Sequence, residues 1–452
     1  MTFKNNDEKE VEKFVSIDIY SSSKIKGIQG LYKNSSKDFI VKEIDEKGYV
    51  LHLKYDDTRS FSEDSKDKYT TFNLIKINKE TFEAIELLSD ALNIPADLIS
   101  YSGLKDKCSI SIQKFSIKGD YVDRLRNLKI RDIFLRNVHS SRRSVKLGSH
   151  WGNHFVIIIR NIENANNPLN RIQKIFKVLK NQGFPNYFGL QRFGTFRPNS
   201  HLIGKFLLEG KFKEAFDEYV VNTYSTEMDI SQNVRNELAK TGDLEKAYND
   251  FPASLNYEKI MIKHLIENKG DYKGAVNKLP NYLKKLLISS FQSYLFNKML
   301  SLRIKKGYPL LKPIKGDLIS ILDDVNGQCT QIVYKYGGLY DRHLKEALRL
   351  NHAAIVIPLI GYDTDLSKFP LMNELIKEIY MMEQIDEEVF NNNLLREFEF
   401  KGAFRSMIVK PNGLKLLEFT KDEVFQGKMK LRLEFSLQRG SYATMLLREL
   451  MK

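Results

Sequence analysis

The heptapeptide Tyr101-Ser102-Gly103-Leu104-Lys105-Asp106-Lys107 closes one apolar element, leads into another, and leaves a single carboxylate between two ammonium groups. Leu98, Ile99 and Tyr101 precede the glycine as the end of an apolar run, and Ile110 and Ile112 alternate with polar residues after it, which predicts a strand. Asp106 therefore lies on a tight connection, where function concentrates. Lys105 and Lys107 favour its ionised form, and an ionised carboxylate can act as nucleophile or base. Lys-Asp-Lys is also ordinary surface chemistry, so the turn alone assigns no activity.

Upstream, Met1 to Lys13 reads as a polar arm and Phe14 to Tyr20 as the first stretch with strand-like content. Phe39-Ile40-Val41, the turn Asp45-Glu46-Lys47-Gly48 and the run Tyr49 to Tyr55 predict a hairpin, with Tyr49, Leu51 and Leu53 on one face. Asp57 to Lys68 is polar without period and reads as a loop. Asn78 is placed to cap a helix carrying Phe82, Ile85, Leu88 and Leu92, which Pro95 ends.

Downstream, the alternation slips by one before Phe115 and Ile117, which predicts a bulge near Gln113. Arg131, Arg136, Arg142, Arg143 and Lys146 gather in a stretch that suits either a phosphate-facing or a solvated loop. A buried strand at Phe155 to Ile159 follows, then a helix from Pro168 with Leu169, Ile172, Ile175, Phe176 and Leu179 in its stripe and Gly183 beyond its end. The next stretch, Phe184-Pro185-Asn186-Tyr187-Phe188-Gly189-Leu190-Gln191-Arg192-Phe193-Gly194, is a poor helix and an irregular strand. Its composition suits a pocket in which rings stack on bases, amides read base edges and arginine takes phosphate, and it equally suits an aromatic core loop.

From about Leu202 the character turns helical, with helices expected at Tyr257 to Asn268, Tyr282 to Gly307, Leu344 to Arg349 and Met372 to Gln384, and a turn at Val325-Asn326-Gly327. Strand patterning returns at Met407-Ile408-Val409 and at Leu431, Leu433 and Phe435, before a terminal helix from Ser441. The expected organisation is a catalytic domain in two parts, residues 1–201 and 403–452, around an inserted helical domain, residues 202–402. The C-terminal strands would complete the first domain's sheet.

The 452 residues are 42% apolar and 28% charged, as globular chains are, and offer material for several domains. No apolar run approaches the 18 residues of a membrane span, and the N-terminal residues are charged and unlike a leader, so a cytoplasmic protein is expected. Two distant cysteines, Cys108 and Cys329, support neither a disulfide framework nor a thiolate zinc site. His150 and His154 have helical spacing, but Trp151-Gly152-Asn153 between them reads as a turn, which argues against a metal site there. A formal charge of +14 points to a polyanionic partner, nucleic acid ahead of lipid, although lysine-rich composition alone can also produce it.

Taken in order, the motifs resemble the TruD family of pseudouridine synthases, which convert uridine 13 of transfer RNA to pseudouridine. Gly103-Leu104-Lys105-Asp106-Lys107 is similar to the family's GxKDK motif, Lys33 with Asp38-Phe39-Ile40-Val41 to its K-x4-DFxV motif, and Asn186 to Gly194 to its NYFGxQRFG motif. Gln292-Ser293-Tyr294-Leu295-Phe296-Asn297 and Gly440-Ser441-Tyr442-Ala443-Thr444 resemble two later motifs. The long region after the third motif resembles the archaeal and eukaryotic branch. Two departures stand out: Tyr442 replaces the Phe of bacterial members, and Cys108 a residue that is often His there.

The resemblance implies an α/β (α+β) fold with a bent, largely antiparallel mixed sheet interrupted by a helical domain. It implies Asp106 as nucleophile, Phe188 stacking on the target uracil, Lys33 as the basic group near the nucleophile, and Phe39, Asn186 and Tyr442 lining the nucleotide pocket. Gly103, Lys105, Gln191 and Arg192 support these motifs. The implied partner is transfer RNA, with other RNAs in range for this branch, and neither cofactor, metal, membrane nor obligate protein partner is expected. The competing reading is a catalytically silent RNA chaperone, against which the intact Asp106 speaks.

Overall fold

The structure is a computed structural model and describes residues 5–56, 68–323 and 327–452. In the first half, strands β1 (Phe39–Ile44), β2 (Tyr69–Ile77), β3 (Ile99–Tyr101), β4 (Ile110–Lys118), β5 (Ile133–Ser141), β6 (Gly152–Ile162) and β7 (Phe184–Pro185) follow one another. The second half adds β8 (Leu318–Leu322), β9 (Cys329–Lys335), β10 (Ala353–Leu359), β11 (Ala403–Ser406), β12 (Ile408–Val409), β13 (Asn412–Lys421) and β14 (Met429–Gln438). An eight-stranded sheet runs β13-β14-β6-β1-β4-β2-β5, with β3 added on β4. Only β1 and β4 run parallel in it, so the expected mixed, largely antiparallel sheet is present.

The C-terminal strand β14 completes that sheet beside β6, because its two-residue alternation gives it one apolar face. Leu431, Leu433 and Phe435 are fully buried while Arg432 between them is exposed. They join a large core with the Pro168–Gln182, Asn281–Lys305 and Ala443–Met451 helices. A smaller core lies between β2, β4, β5 and the Thr81–Leu92 helix. The Asn281–Lys305 helix buries nearly every residue from Leu287 to Arg303 and is a central helix, not a striped surface one.

Several expectations fail for identifiable reasons. Asn5–Phe14 is a helix, not a polar arm, and the irregular chain after it is tied to the terminal helix, whose Arg448 Nη1 donates to Ile19 O at 2.7 Å and Nη2 to Ile17 O at 2.8 Å. The hairpin after β1 is reduced to an Ile44–Val50 bridge, since β4 and β6 already occupy both edges of β1, and Tyr49 is left exposed while Leu51 is buried. Asn78 does not cap the following helix; it takes a left-handed φ of 54° at the end of β2, and Glu80 is the cap, its N–H donating to Glu83 Oε2 at 3.3 Å. Phe82 of the predicted stripe is exposed.

No bulge occurs at Gln113: β4 pairs with β2 in unbroken register from Ile110 to Lys118. The phase slips because β4 is central, and Ser111, Ile112 and Gln113 are all buried on its two faces. The basic stretch is not one loop, since β5 carries Arg136 and β6 already begins at Gly152. A four-stranded sheet, β11-β10-β8-β9, was not anticipated, because short apolar runs such as Leu318–Leu322 have no distinguishing period; three of its strands lie in the expected helical region and β11 just after it. Helices occur at Asn256–Glu267, Arg342–Arg349 and Pro370–Glu383, as expected. Residues 57–67 of the expected polar loop, and Val325 and Asn326 of the expected turn, lie outside the described residues.

The sheet explains why Asp106 projects. Strand β3 pairs with β4 from Ile117 back to Phe115, while β1 occupies the same edge of β4 at Ile110–Ile112. The chain leaving Tyr101 cannot continue along β4, and residues 102–109 are displaced into a loop over the β1–β3 gap.

Candidate active site

That loop is pinned along its backbone. Ser102 N–H donates to Lys114 O at 3.1 Å, Gln113 Nε2 to Gly103 O at 2.6 Å, and Lys105 N–H to Thr81 Oγ1 at 3.1 Å. The buried ammonium of Lys76 on β2 donates to the carbonyls of Lys79, Lys105 and Asp106 at 2.6, 3.2 and 2.8 Å. Burial pulls Lys76 down to about 8, with Asp106 opposing the fall. Gly103 is required by space, since a Cβ there would sit 2.8 Å from His150 Cε1. Burial also lowers His150, with Lys105 adding to the effect, so a neutral imidazole packs against the Ser102 carbonyl.

Beneath the loop is a buried ion pair. Lys105 Nζ lies 2.8 Å from Glu43 Oε2, both side chains being almost wholly buried, and Ser102 Oγ and Lys114 N–H also donate to that carboxylate. Lys105 is thus a strut under the loop and does not flank the Asp106 carboxylate as the sequence suggested; Lys107 is exposed. The cation that meets Asp106 is Lys33, whose Nζ lies 3.1 Å from Oδ2. Lys33 holds a left-handed φ of 58°, uncommon for lysine, and its ammonium sits 4.3 Å from the centroid of Phe39. Phe39 itself is a core residue, 1% exposed, and lines the site only from below. Asp38 of the same motif is buried against Arg160, which also binds Asp422, and so joins β1 to β6 and to the turn before β14.

The second oxygen of Asp106 accepts from Gln191 Nε2 at 2.8 Å. Gln191 follows Phe188 by three residues, so this bond joins the carboxylate to the aromatic motif. Phe188 is half-buried, edge-to-face with Phe296 at 5.5 Å and near Tyr442 at 6.2 Å, and the Arg405 guanidinium lies 4.0 Å from its centroid. Asn297, on the central helix, clamps its backbone by accepting from Phe188 N–H at 2.9 Å and donating to Phe188 O at 3.1 Å. Asn186 is buried and holds Arg405, whose Nη2 donates to Asn186 Oδ1 at 2.7 Å and Nε to Asn186 O at 3.1 Å. Arg192 Nε donates to Ser293 Oγ at 3.1 Å. The arrangement offers a carboxylate held between an ammonium and an amide, beside a ring backed by a guanidinium.

A family model described as tRNA pseudouridine synthase D (TruD) matches residues 14–450. The chain belongs to the TruD family. A relative from Methanosarcina mazei named "Probable tRNA pseudouridine synthase D" is 34% identical over 450 residues, covering 98% of each protein. A relative of the same name from Thermococcus sibiricus is 33% identical over 438 residues, covering 95% of this chain and 96% of its own. A crystal structure of the "Putative tRNA pseudouridine synthase D (TruD)" from Methanosarcina mazei matches with a TM-score of 0.78 at 32% identity, covering 98% of both chains. This TruD-family chain is therefore placed among pseudouridine synthases, isomerases that act in RNA modification.

Of the residues singled out in sequence, Lys33 and Gln191 meet at Asp106, Arg192 and Tyr442 lie around the ring of Phe188, and Asn186 reaches that ring through Arg405. Gly103 and Lys105 shape and support the loop. Glu43, Lys76, Asn297 and Arg405 were missed as contributors. Asn297 ends a motif that was quoted without a role, while Arg405 had no local signal. The two histidines part company: His154 Nδ1 reaches Ser436 Oγ across to β14 at 3.0 Å. Among the described residues, no group of three His, Cys, Asp or Glu could hold a metal ion, and no helix is long and apolar enough to cross a membrane.

Proposed function

We propose that the protein isomerises uridine to pseudouridine in transfer RNA, at uridine 13, with Asp106 as nucleophile. The observation that carries this is the Asp106 carboxylate between Lys33 and Gln191, with Gln191 on the same short motif as the half-exposed ring of Phe188. In the reaction the C1′–N1 bond breaks, the uracil turns, and C5 joins C1′. The C5 proton leaves and N1 gains one, so no outside reductant or group donor enters. The base must first leave its stack, at a cost of a few kcal/mol, and stacking on the ring of Phe188 returns about 1–3 kcal/mol. Lys33 holds one Asp106 oxygen and Gln191 the other, which fixes the carboxylate as the ribose approaches. The catalytic part, residues 1–201 and 403–452, and the inserted part, residues 202–402, belong to this same reading. The pairing of β12 with β7, which returns the chain to the place it left, supports that division.

The test is to incubate an unmodified transfer RNA transcript with the full-length protein and map pseudouridine along it. Pseudouridine at position 13, absent with Asp106→Asn, is the expected result. Turnover by the purified Asn variant would refute the role of Asp106, and remodelling of the RNA without any pseudouridine would favour a chaperone.

A further inference from the structure

The buried arginines of this molecule are matched by carboxylates: Arg160 by Asp38 and Asp422, Arg235 by Glu227 and Glu258, Arg303 by Asp317. Arg192 and Arg405, partly buried beside Phe188, have no such partner among the described residues. Their guanidinium carbons lie 5.9 and 4.0 Å from its ring centroid, and the polar partners the structure gives them are neutral. Arg405 donates to both oxygens of Asn186 and, through Nη1, to Gly440 O at 2.9 Å; Arg192 donates to Ser293 Oγ. Burial lowers both guanidiniums, Arg405 to about 10, which leaves it cationic at neutral pH. Two partly buried positive charges with no carboxylate partner among the described residues carry a desolvation cost that an anionic ligand would offset. Arg405 uses three of its five N–H groups on the protein, leaving two for a planar, bidentate acceptor such as a phosphate.

We propose that Arg192 and Arg405 form a phosphate site beside Phe188 that takes the phosphodiester adjoining the flipped nucleotide. This rests on the reading of the Phe188 pocket as a nucleotide site. Asn186 then acts as a positioning residue, fixing the guanidinium by two hydrogen bonds, and the strand β11 contributes a phosphate contact to a pocket whose nucleophile comes from the opposite end of the chain.

The experiment measures binding of a transfer RNA transcript to full-length Asp106→Asn protein, with and without Arg405→Met, across salt concentrations. Arg405→Met should weaken binding about tenfold or more, the worth of one hydrogen bond to a charged group, and reduce the slope of log K against log salt by about one. Arg405→Lys should keep the slope. Replacing the phosphates flanking the target uridine by methylphosphonates should weaken binding to the Arg405 form and have a clearly smaller effect on Arg405→Met, in which only Arg192 still meets the phosphate. Arg192→Met, followed with its melting temperature, gives the same test if Arg405→Met folds poorly. An unchanged slope, or equal penalties from the neutral linkage in both proteins, would overturn the site even if the protein carrying Asp106 forms pseudouridine. A slope reduced by one, with no pseudouridine made by the protein carrying Asp106, would keep the anion site and reject the proposed reaction.

Discussion

The Asp106 loop and the Phe188 wall meet at one hydrogen bond, Gln191 to Asp106, and are built in opposite ways. The loop is charge-matched and held by near neighbours in the sheet: Lys105 on Glu43, Lys33 on Asp106, Lys76 on three carbonyls. The wall gathers residues 186–192, 293–297, 405 and 442, and leaves two guanidiniums without a carboxylate. Under the proposed function, a nucleophile needs a fixed position, so its surroundings are satisfied before substrate arrives. A binding wall gains by leaving charge that the ligand itself will satisfy. If this contrast is right, damage to the loop should cost chemistry or folding, and damage to the wall should cost binding and stacking.

The largest effect is expected from Asp106→Asn, which should bring single-turnover pseudouridine formation to the detection limit while RNA binding stays within a few-fold, since the phosphate-contacting surface is kept. Next is Glu43→Ala, which strands the Lys105 ammonium in the interior and should lower stability in urea denaturation by about 3–5 kcal/mol. Adding Lys105→Met should return much of that loss. A double variant as unstable as the sum of its parts would deny that the two side chains act as a pair.

On the wall, Phe188→Ala should lower kcat/KM by about ten- to a hundredfold, one stack of about 1–3 kcal/mol at 1.36 kcal/mol per decade. Phe188→Tyr should retain most activity. If the ring served only the core, the Ala variant would melt far below wild type yet recover full turnover when assayed well below its melting point.

The smallest effect concerns pH. Lys76 falls from 10.5 to about 8 on folding because it is buried. Between those values the unfolded chain binds more protons than the folded one, so the contribution of Lys76 to stability rises with pH across that window. Activity should move the other way. A neutral amine keeps two N–H groups for three carbonyls, its hold on the Asp106 backbone relaxes, and the single-turnover rate should fall several-fold as pH passes about 8. Lys76→Met should abolish that alkaline limb, and a limb that persists in it belongs to another group.

What the sequence by itself determined was whatever rests on neighbours along the chain. The alternation Leu431, Leu433, Phe435 placed a one-sided strand, the stripe from Ile172 to Leu179 placed a helix, and Gly103 to Lys107 marked the loop. Side-chain period and turn chemistry are local, so these readings survive without coordinates. Only the tertiary structure decided which cation meets Asp106. Lys105 adjoins it in sequence but turns to Glu43, while Lys33 lies 73 positions away and reaches it because β1 and β4 run side by side. It likewise decided that Gln113 is no bulge, since a central strand buries both faces, and that Arg405 backs Phe188, since Asn186 holds it from 219 residues away. Partner choice in a folded chain follows burial and the edges left free by strand pairing, and neither quantity exists until the strands have found one another.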